Sequence, residues 1–253
     1  MRHRHGPRTT EDSGLIQPLW LPGLALWIDF ADASTITTGV GGISQADDKS
    51  GNGYHLAQGT SGNRPGYTAA GLNGRNIATF DGGPADSITT AGTGIGRNVA
   101  GLTAYVVFKH TAAPTARQNI YVVASGGASI RLAIYGGHVS NKISIQGARL
   151  DADSNSLYSG TTGLGTGWHI ATAVLDYTNG MLYGYLDGVA ELSGALTSSG
   201  TSSNTASGSV SMSSGNPSFD LIGNIAEGLT YNAAHDSATR SQVWAYLRNK
   251  WGM

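Results

Sequence analysis

The chain has 253 residues, no cysteine, 38 glycines, 12% charged residues and a formal net charge of −1. The absence of cysteine excludes a disulfide framework, a thiol nucleophile and a thiolate metal site, and the weak, scattered charge leaves no footprint for nucleic acid. Glycine without a three-residue period excludes collagen and suits a β-rich chain of many tight turns, with a surface drawn from Ser, Thr, Asn and Gly.

Residues 1–18 read as an N-terminal arm. Its cations, Arg2, Arg4 and Arg8 with His3 and His5, are offset by Glu11 and Asp12. The arm suits docking onto a larger assembly or a metal held by its two histidines; the plainer alternative is a mobile terminus. Residues 19–253 read as one domain, a common size for an all-β sandwich. No apolar run reaches the roughly 18 residues that span a bilayer. The stretch Leu15–Phe30 is broken by Pro18, Pro22 and Asp29, so no standard signal peptide is expected.

Ala25–Phe30 predicts a first core strand, with Leu24, Leu26 and Ile28 alternating with Ala25, Trp27 and Asp29. A long polar stretch, Ala31–Gly74, follows, with turn signals at Asp47–Gly53 and Asn73-Gly74. Strands are expected at Ile77–Phe80, Leu102–His110, Asn119–Ala124, Ser129–Tyr135 and Lys142–Gln146. Trp168–Leu175 and Met181–Leu186 predict a hairpin with Asn179-Gly180 at its tip, and Asp187-Gly188 turns the chain again. Ser193–Ser218 reads as a long surface excursion with a weak strand at Ser209–Met212. Leu221–Gly223 and Ala226–Tyr231 predict two closing strands. An amphipathic helix then runs to Trp251, capped by Asp236 or Ser237, with Val243, Trp244, Leu247 and Trp251 on one face and Arg248 and Lys250 in its last turn. Strands at this rhythm without intervening helices indicate a sandwich or jelly roll.

Trp168-His169-Ile170 leading into Tyr185-Leu186-Asp187-Gly188, then Leu221-Ile222-Gly223 and Glu227-Gly228-Leu229-Thr230-Tyr231-Asn232, resembles the concanavalin A-like and laminin G-like sandwich domains. Gly228 departs from the aliphatic residue usual there. In the N-terminal half, Leu26-Trp27-Ile28-Asp29, Asp48–Gly53, Arg64-Pro65, Leu72-Asn73-Gly74-Arg75 and Phe80-Asp81-Gly82 occur in an order similar to sandwich domains of bacteriophage virion and bacterial surface proteins. So does the closing Tyr246–Gly252. The resemblance implies an all-β fold, a two-sheet antiparallel jelly-roll sandwich with a short C-terminal α-helix, and a place on a virion or an extracellular surface. A homo-oligomer would suit a virion part.

Catalytic signatures are sparse. Sandwich glucanases pair carboxylates at alternate positions of one strand, where they project from one face and flank the sugar bond. The three glutamates, Glu11, Glu191 and Glu227, have no acidic neighbour two positions away, and Asp151-Ala152-Asp153 lies in a polar turn. No Gly-x-Ser-x-Gly elbow occurs. His110, His138, His169 and His235 stand isolated, and His169 on its strand reads as a structural histidine.

The resemblance implies Ca²⁺ in rim loops as a candidate cofactor, for which Asp47, Asp48 and Asn52 form the best oxygen cluster, with Asp81 or Asp86 as further contributors. The alternative is that Asp48 and Asn52 close an Asx-type turn. A surface polysaccharide or glycan would need exposed aromatics, and the candidates are Tyr54, His55, Tyr67, Tyr135 and Tyr158. Each is equally suited to half-buried packing on a sheet. The leading expectation is a non-catalytic adhesion or glycan-binding module. A virion decoration or cementing protein, joined to other virion or surface proteins through the arm, comes second, and a polysaccharide-degrading enzyme third. No nucleic-acid partner and no membrane span are expected.

Overall fold

The computed structural model describes residues 16–83, 86–91, 93–124, 130–203, 208–213 and 218–253. Residues 1–15 of the arm and Ser129 therefore lie outside the described residues. A 3-10 turn at Pro18–Trp20 leads into the strands. In chain order these are β1 (Leu24–Asp29), β2 (Ile36–Gly39), β3 (Gly42–Ala46), β4 (Leu56–Ala57), β5 (Gly66–Leu72), β6 (Arg75–Asp81), β7 (Ile88–Ala91), β8 (Gly101–His110) and β9 (Gln118–Ala124). After them come β10 (Ile130–Gly136), β11 (Lys142–Gly147), β12 (Ser156–Gly163), β13 (His169–Asp176), β14 (Met181–Leu186), β15 (Val189–Ala195), β16 (Ser209–Met212) and β17 (Ile222–Tyr231). Helix α1 (Ser237–Trp251) closes the chain.

The strands form two antiparallel sheets packed face to face. One runs β15-β14-β13-β8-β17-β6-β5, with β1 paired to β17, and the other runs β12-β11-β10-β9-β16-β7-β4-β3-β2. The expected two-sheet sandwich with a C-terminal helix is the observed architecture. Apolar side chains such as Leu26, Ile28, Val106, Phe108, Ile134 and Ile145 fill the space between the sheets. A second core lies on the outer face of the first sheet, where Trp27, Tyr105, Val107, Leu229 and Tyr231 meet Val243, Trp244, Leu247 and Trp251 of α1. A lone helix of this length is marginal in water, so this apolar seam holds it. Strands β8 and β17, covered on both faces, are buried almost end to end.

The polar stretch from Ala31 to Gly74 was expected to be largely turns; it contains four short strands, β2 to β5, which build sheet edges. Short edge strands of polar and small residues carry little hydrophobic periodicity, so the sequence does not announce them. The weak strand at Ser209–Met212 sits inside the second sheet, paired with both β7 and β9. The two closing strands are one. Strand β17 pairs with β6 through Ile222–Ile225 and with β1 beyond it, while β8 follows its other side.

A bulge between Ile225 and Glu227 resets the alternation of β17 against β8. An extra residue reverses which face later side chains occupy. Ile225 therefore points between the sheets, while Glu227, Leu229 and Tyr231 point at the helix. Gly228 faces the other sheet, where a Cβ would overlap Met212, which explains why no aliphatic residue stands there.

Glu227 is the hub of the helix seam. Its carboxylate has no exposed surface. It accepts from Trp27 Nε1 at 2.7 Å, Tyr246 Oη at 2.8 Å, Lys250 Nζ at 2.8 Å and Trp251 Nε1 at 2.7 Å. Lys250 also reaches Asp29 at 2.6 Å, and Lys49 joins Asp29 at 2.9 Å to Asp32 at 2.7 Å. Burial pushes the Asp29 carboxyl up, but Lys250 and Lys49 outweigh it and hold the group below its ordinary value. Asp236 caps α1 by accepting from Thr239 N at 2.8 Å, and Gly252, at φ 66°, ends it in the left-handed conformation.

Candidate glycan-binding trough

The residues singled out in the sequence for ligand binding do not converge. Tyr135 is fully buried, its hydroxyl donating to Gln146 Oε1 at 2.9 Å and its ring 3.9 Å from the Arg117 guanidinium, so it offers no face to a sugar. Tyr158 lies on Gly194, where any Cβ would overlap its ring, and donates to Ala195 O at 2.8 Å. That contact joins β12 of one sheet to β15 of the other. Tyr67 donates to Phe30 O at 2.9 Å and Tyr54 Oη accepts from Gly94 N at 3.0 Å. His55 is exposed, with Nδ1 accepting from Asp48 N at 3.1 Å and lying 3.2 Å from Asp47. Tyr135 is buried, and Tyr54, Tyr67 and Tyr158 are half-buried against the inter-sheet core, as an aromatic ring with a hydrogen-bonded hydroxyl readily is.

The Asp47, Asp48 and Asn52 oxygens do not fit a calcium ion. Both oxygens of Asp48 are occupied by Trp27 N, Ser50 N, Ser50 Oγ and Tyr54 N, at 2.7–3.1 Å. The Asn52 amide turns its nitrogen inward, to Leu24 O and Ala25 O at 3.1 Å each. Asp47 accepts from Gln45 Nε2 at 2.6 Å. Asp81 accepts from Gly83 N at 2.7 Å and Asp86 from Asp81 N at 2.8 Å. Burial, with Asp81 and Asp220 nearby, pushes Asp86 up to about 6. Among the described residues no group of three or more His, Asp or Glu is arranged to hold a metal.

A different surface gathers aromatic and polar groups. On β14 the order Leu182-Tyr183-Gly184-Tyr185-Leu186 alternates strictly. The leucines enter the inter-sheet core, and Gly184 also faces inward, where a Cβ would crowd Leu192 and Ile145. Tyr183 and Tyr185 consequently stand side by side on the outer face of the first sheet, both half-exposed. Their cross-strand partners on β15 are small, Ser193 opposite Tyr183 and Ala190 opposite Tyr185. Nothing tall shades the rings from that side.

On the other side stands the start of α1. Arg240 holds its guanidinium 4.4 Å from the Tyr185 ring and donates to His235 O at 2.7 Å. Trp244 flanks Tyr185 at 5.5 Å between centroids. His235, just before the helix, is almost wholly buried, with Nδ1 2.8 Å from Tyr105 Oη and its ring 4.3 Å from Tyr231. Burial, with help from Arg240, pushes its imidazole down to about 4 despite Asp236. It is therefore neutral at physiological pH.

Three hollows lie next to one another here, sharing lining residues. One of about 360 Å³ lies over Tyr183, Tyr185 and β15. One of about 410 Å³ shares both tyrosines and extends past Asp176 to His235, Asp236 and Arg240. One of about 210 Å³ shares His235 and Asp236 and ends at Leu21 and Pro22. Two of the three fall in the volume range of ligand clefts. Sequence reasoning used Tyr185 for a turn motif and missed the trough, although Tyr-Gly-Tyr on a strand does place two rings on one face.

His169 is the structural histidine expected. Its Nδ1 lies 2.7 Å from Asp187 Oδ2 and its Nε2 2.7 Å from Leu164 O. Burial disfavours its charge, but the Asp187 carboxylate and the Leu164 carbonyl outweigh burial and raise it.

No protein-family model and no curated protein matches the chain. Solved structures do. The binding domain of Paraclostridial Mosquitocidal Protein 1 is similar with a TM-score of 0.64 at 10% identity, over 90% of this chain and 53% of that one. The Botulinum neurotoxin serotype G binding domain gives the same figures, 0.64, 10%, 90% and 53%. Trypanosoma rangeli sialidase gives 0.60 at 11% identity, over 91% of this chain and 33% of its own. The likeness is one of fold. The chain spans about half the length of the toxin domains and a third of the sialidase.

Proposed function

We propose that the chain is a non-catalytic glycan-binding module whose ligand lies in the trough beside Tyr183 and Tyr185. The observation that carries this is the pair of half-exposed rings on one sheet face, which line two neighbouring hollows. Rings on alternate residues of a strand stand on the same face about 7 Å apart, so both can contact one oligosaccharide. The solved structures named as toxin binding domains and a sialidase share the fold and are compatible with such a role. A non-catalytic reading is supported by the commitments of the nearby acids. Asp176 accepts from Asn179 N and Nδ2, Glu191 accepts from Thr161 N, Thr162 N and Thr162 Oγ1, Asp236 caps α1, and Glu227 is sealed beneath the helix. The motif order of the N-terminal half supports display on a particle surface, a phage virion first among them.

The test is titration calorimetry of the full chain against glycans, repeated with Tyr183→Ala and Tyr185→Ala. The expected loss is about tenfold or more in affinity for each. Binding that neither variant weakens would remove the trough from consideration, and release of new reducing ends would make the protein an enzyme.

A further inference from the structure

Resting on the glycan reading of the same trough, we infer that its ligand is an extended, uncharged glycan chain and that acidic sugars are rejected. The first ground is shape. The hollow over β15 and the central one share Tyr183 and Tyr185, and the central and third share His235 and Asp236. Taken together the hollows reach across the sheet from its β15 edge to the Leu21-Pro22 turn, a longer span than a single sugar ring fills.

The second ground is charge. Two carboxylates, Asp176 and Asp236, line the central hollow with one cation, Arg240. That guanidinium donates from one Nη to His235 O and lies over Tyr185, while its Nε is buried without a hydrogen-bond partner among the described residues, so it counts as one cation against the two carboxylates. Hydrogen bonding from Thr239 holds Asp236 below the ordinary carboxylate range, which keeps it anionic. With Glu191 in the hollow over β15, an acidic sugar would bring a fourth carboxylate to three that are present, against the single cation Arg240 among the described lining residues. Like charges at such range disfavour binding.

The third ground is hydrogen-bonding sense. The carboxylates of Asp176 and Asp236 each retain lone pairs beyond the bonds they accept, and Ser193 and Ser237 offer exposed hydroxyls. A surface rich in acceptors matches the hydroxyl donors of a neutral polyol.

The full chain is titrated with neutral hexasaccharides of glucose, N-acetylglucosamine and xylose, with their trisaccharides, and with hexagalacturonate and oligosialic acid. At least one neutral hexasaccharide should bind, about tenfold tighter than its trisaccharide and than either acidic chain, with the preference narrowing as salt rises. Tyr183→Ala should abolish that binding. Ser193→Trp, which fills the trough from an exposed position, should do the same and guards against a folding defect in the first variant. The double change Asp176→Asn and Asp236→Asn, in which asparagine still serves as a helix cap, should raise affinity for the acidic chains severalfold. Acidic chains that bind as well as neutral ones, with the same dependence on Tyr183, would overturn this inference and leave the glycan reading standing. A panel with no Tyr183-dependent binding would overturn both.

Discussion

Lys250, in the last turn of the helix, lies 2.8 Å from Glu227 on β17 and 2.6 Å from Asp29 on β1, so one ammonium ties the helix to two neighbouring strands. Around this tie, two indoles and a phenol donate to the same buried carboxylate. An ion pair of this kind is costly to desolvate and costly to break. Removing one partner leaves the other charged and unpaired in a low-dielectric seam. Glu227→Ala or Lys250→Ala should therefore destabilise the chain by ~3–5 kcal/mol, measured as the shift in urea midpoint. A double change of the pair to matched apolar residues should recover part of the loss, which a purely additive account would not give.

Tyr158 and Tyr183 should separate cleanly in experiment. Tyr158 staples the two sheets over Gly194, so Tyr158→Ala should cost ~1–2 kcal/mol of stability, from a partly buried ring and one hydrogen bond, and leave glycan affinity unchanged. Tyr183→Ala should do the reverse, losing affinity with little change in melting temperature. Melting curves and calorimetry on the same two variants decide it. Equal loss of affinity in both would dissolve the distinction.

Acid should unfold the protein partly through His110. Its Nδ1 lies 3.0 Å from Gln118 Oε1, while Nε2 is buried without a hydrogen-bond partner among the described residues. Burial pushes this imidazole from 6.5 down to about 4. Because the folded value is the lower one, its contribution is present above pH 6.5 and is lost as pH falls through about 4. Replacing His110 by Phe should flatten the fall of stability with acid over that window, read from urea midpoints at a series of pH values.

His169 should act in the opposite direction. Its value is raised by Asp187 and the Leu164 carbonyl, so its contribution is complete below the ordinary 6.5 and is lost as pH rises through the raised value. His169→Gln should remove the decline on the alkaline side while leaving the acid limb as in the parent chain. A parent whose stability is flat from pH 6 to 9 would count against the imidazolium.

Gly223 should tolerate no side chain. A Cβ there would overlap the backbone carbonyl of Lys109 on β8, its own pairing partner strand. Since the obstacle is main chain rather than a movable side chain, Gly223→Ala should cost ~1–3 kcal/mol as overpacking, seen as a melting point several degrees lower.

Much of the architecture was legible in the chain itself. The alternation of Leu26, Trp27, Ile28 and Asp29, the turn glycines at 74, 180 and 188 and the apolar face of the last helix are local signals, fixed by backbone geometry and by periods of two and 3.6. What stayed hidden was every property that depends on a distant neighbour. The sequence points to Tyr135 and Tyr158 as candidates and passes over Tyr183. Only the tertiary structure buries the first beneath Arg117, makes the second a staple between the sheets and leaves the third half-exposed on an outer face. Likewise no pattern in β17 announces the bulge that turns Glu227 toward Lys250, because a bulge is set by pairing with β8 rather than by the strand's own residues. The sequence by itself determined the apolar core strands, the glycine turns and the helix. The tertiary structure decided which side chains reach solvent, since exposure is a relation between elements that lie far apart in the chain.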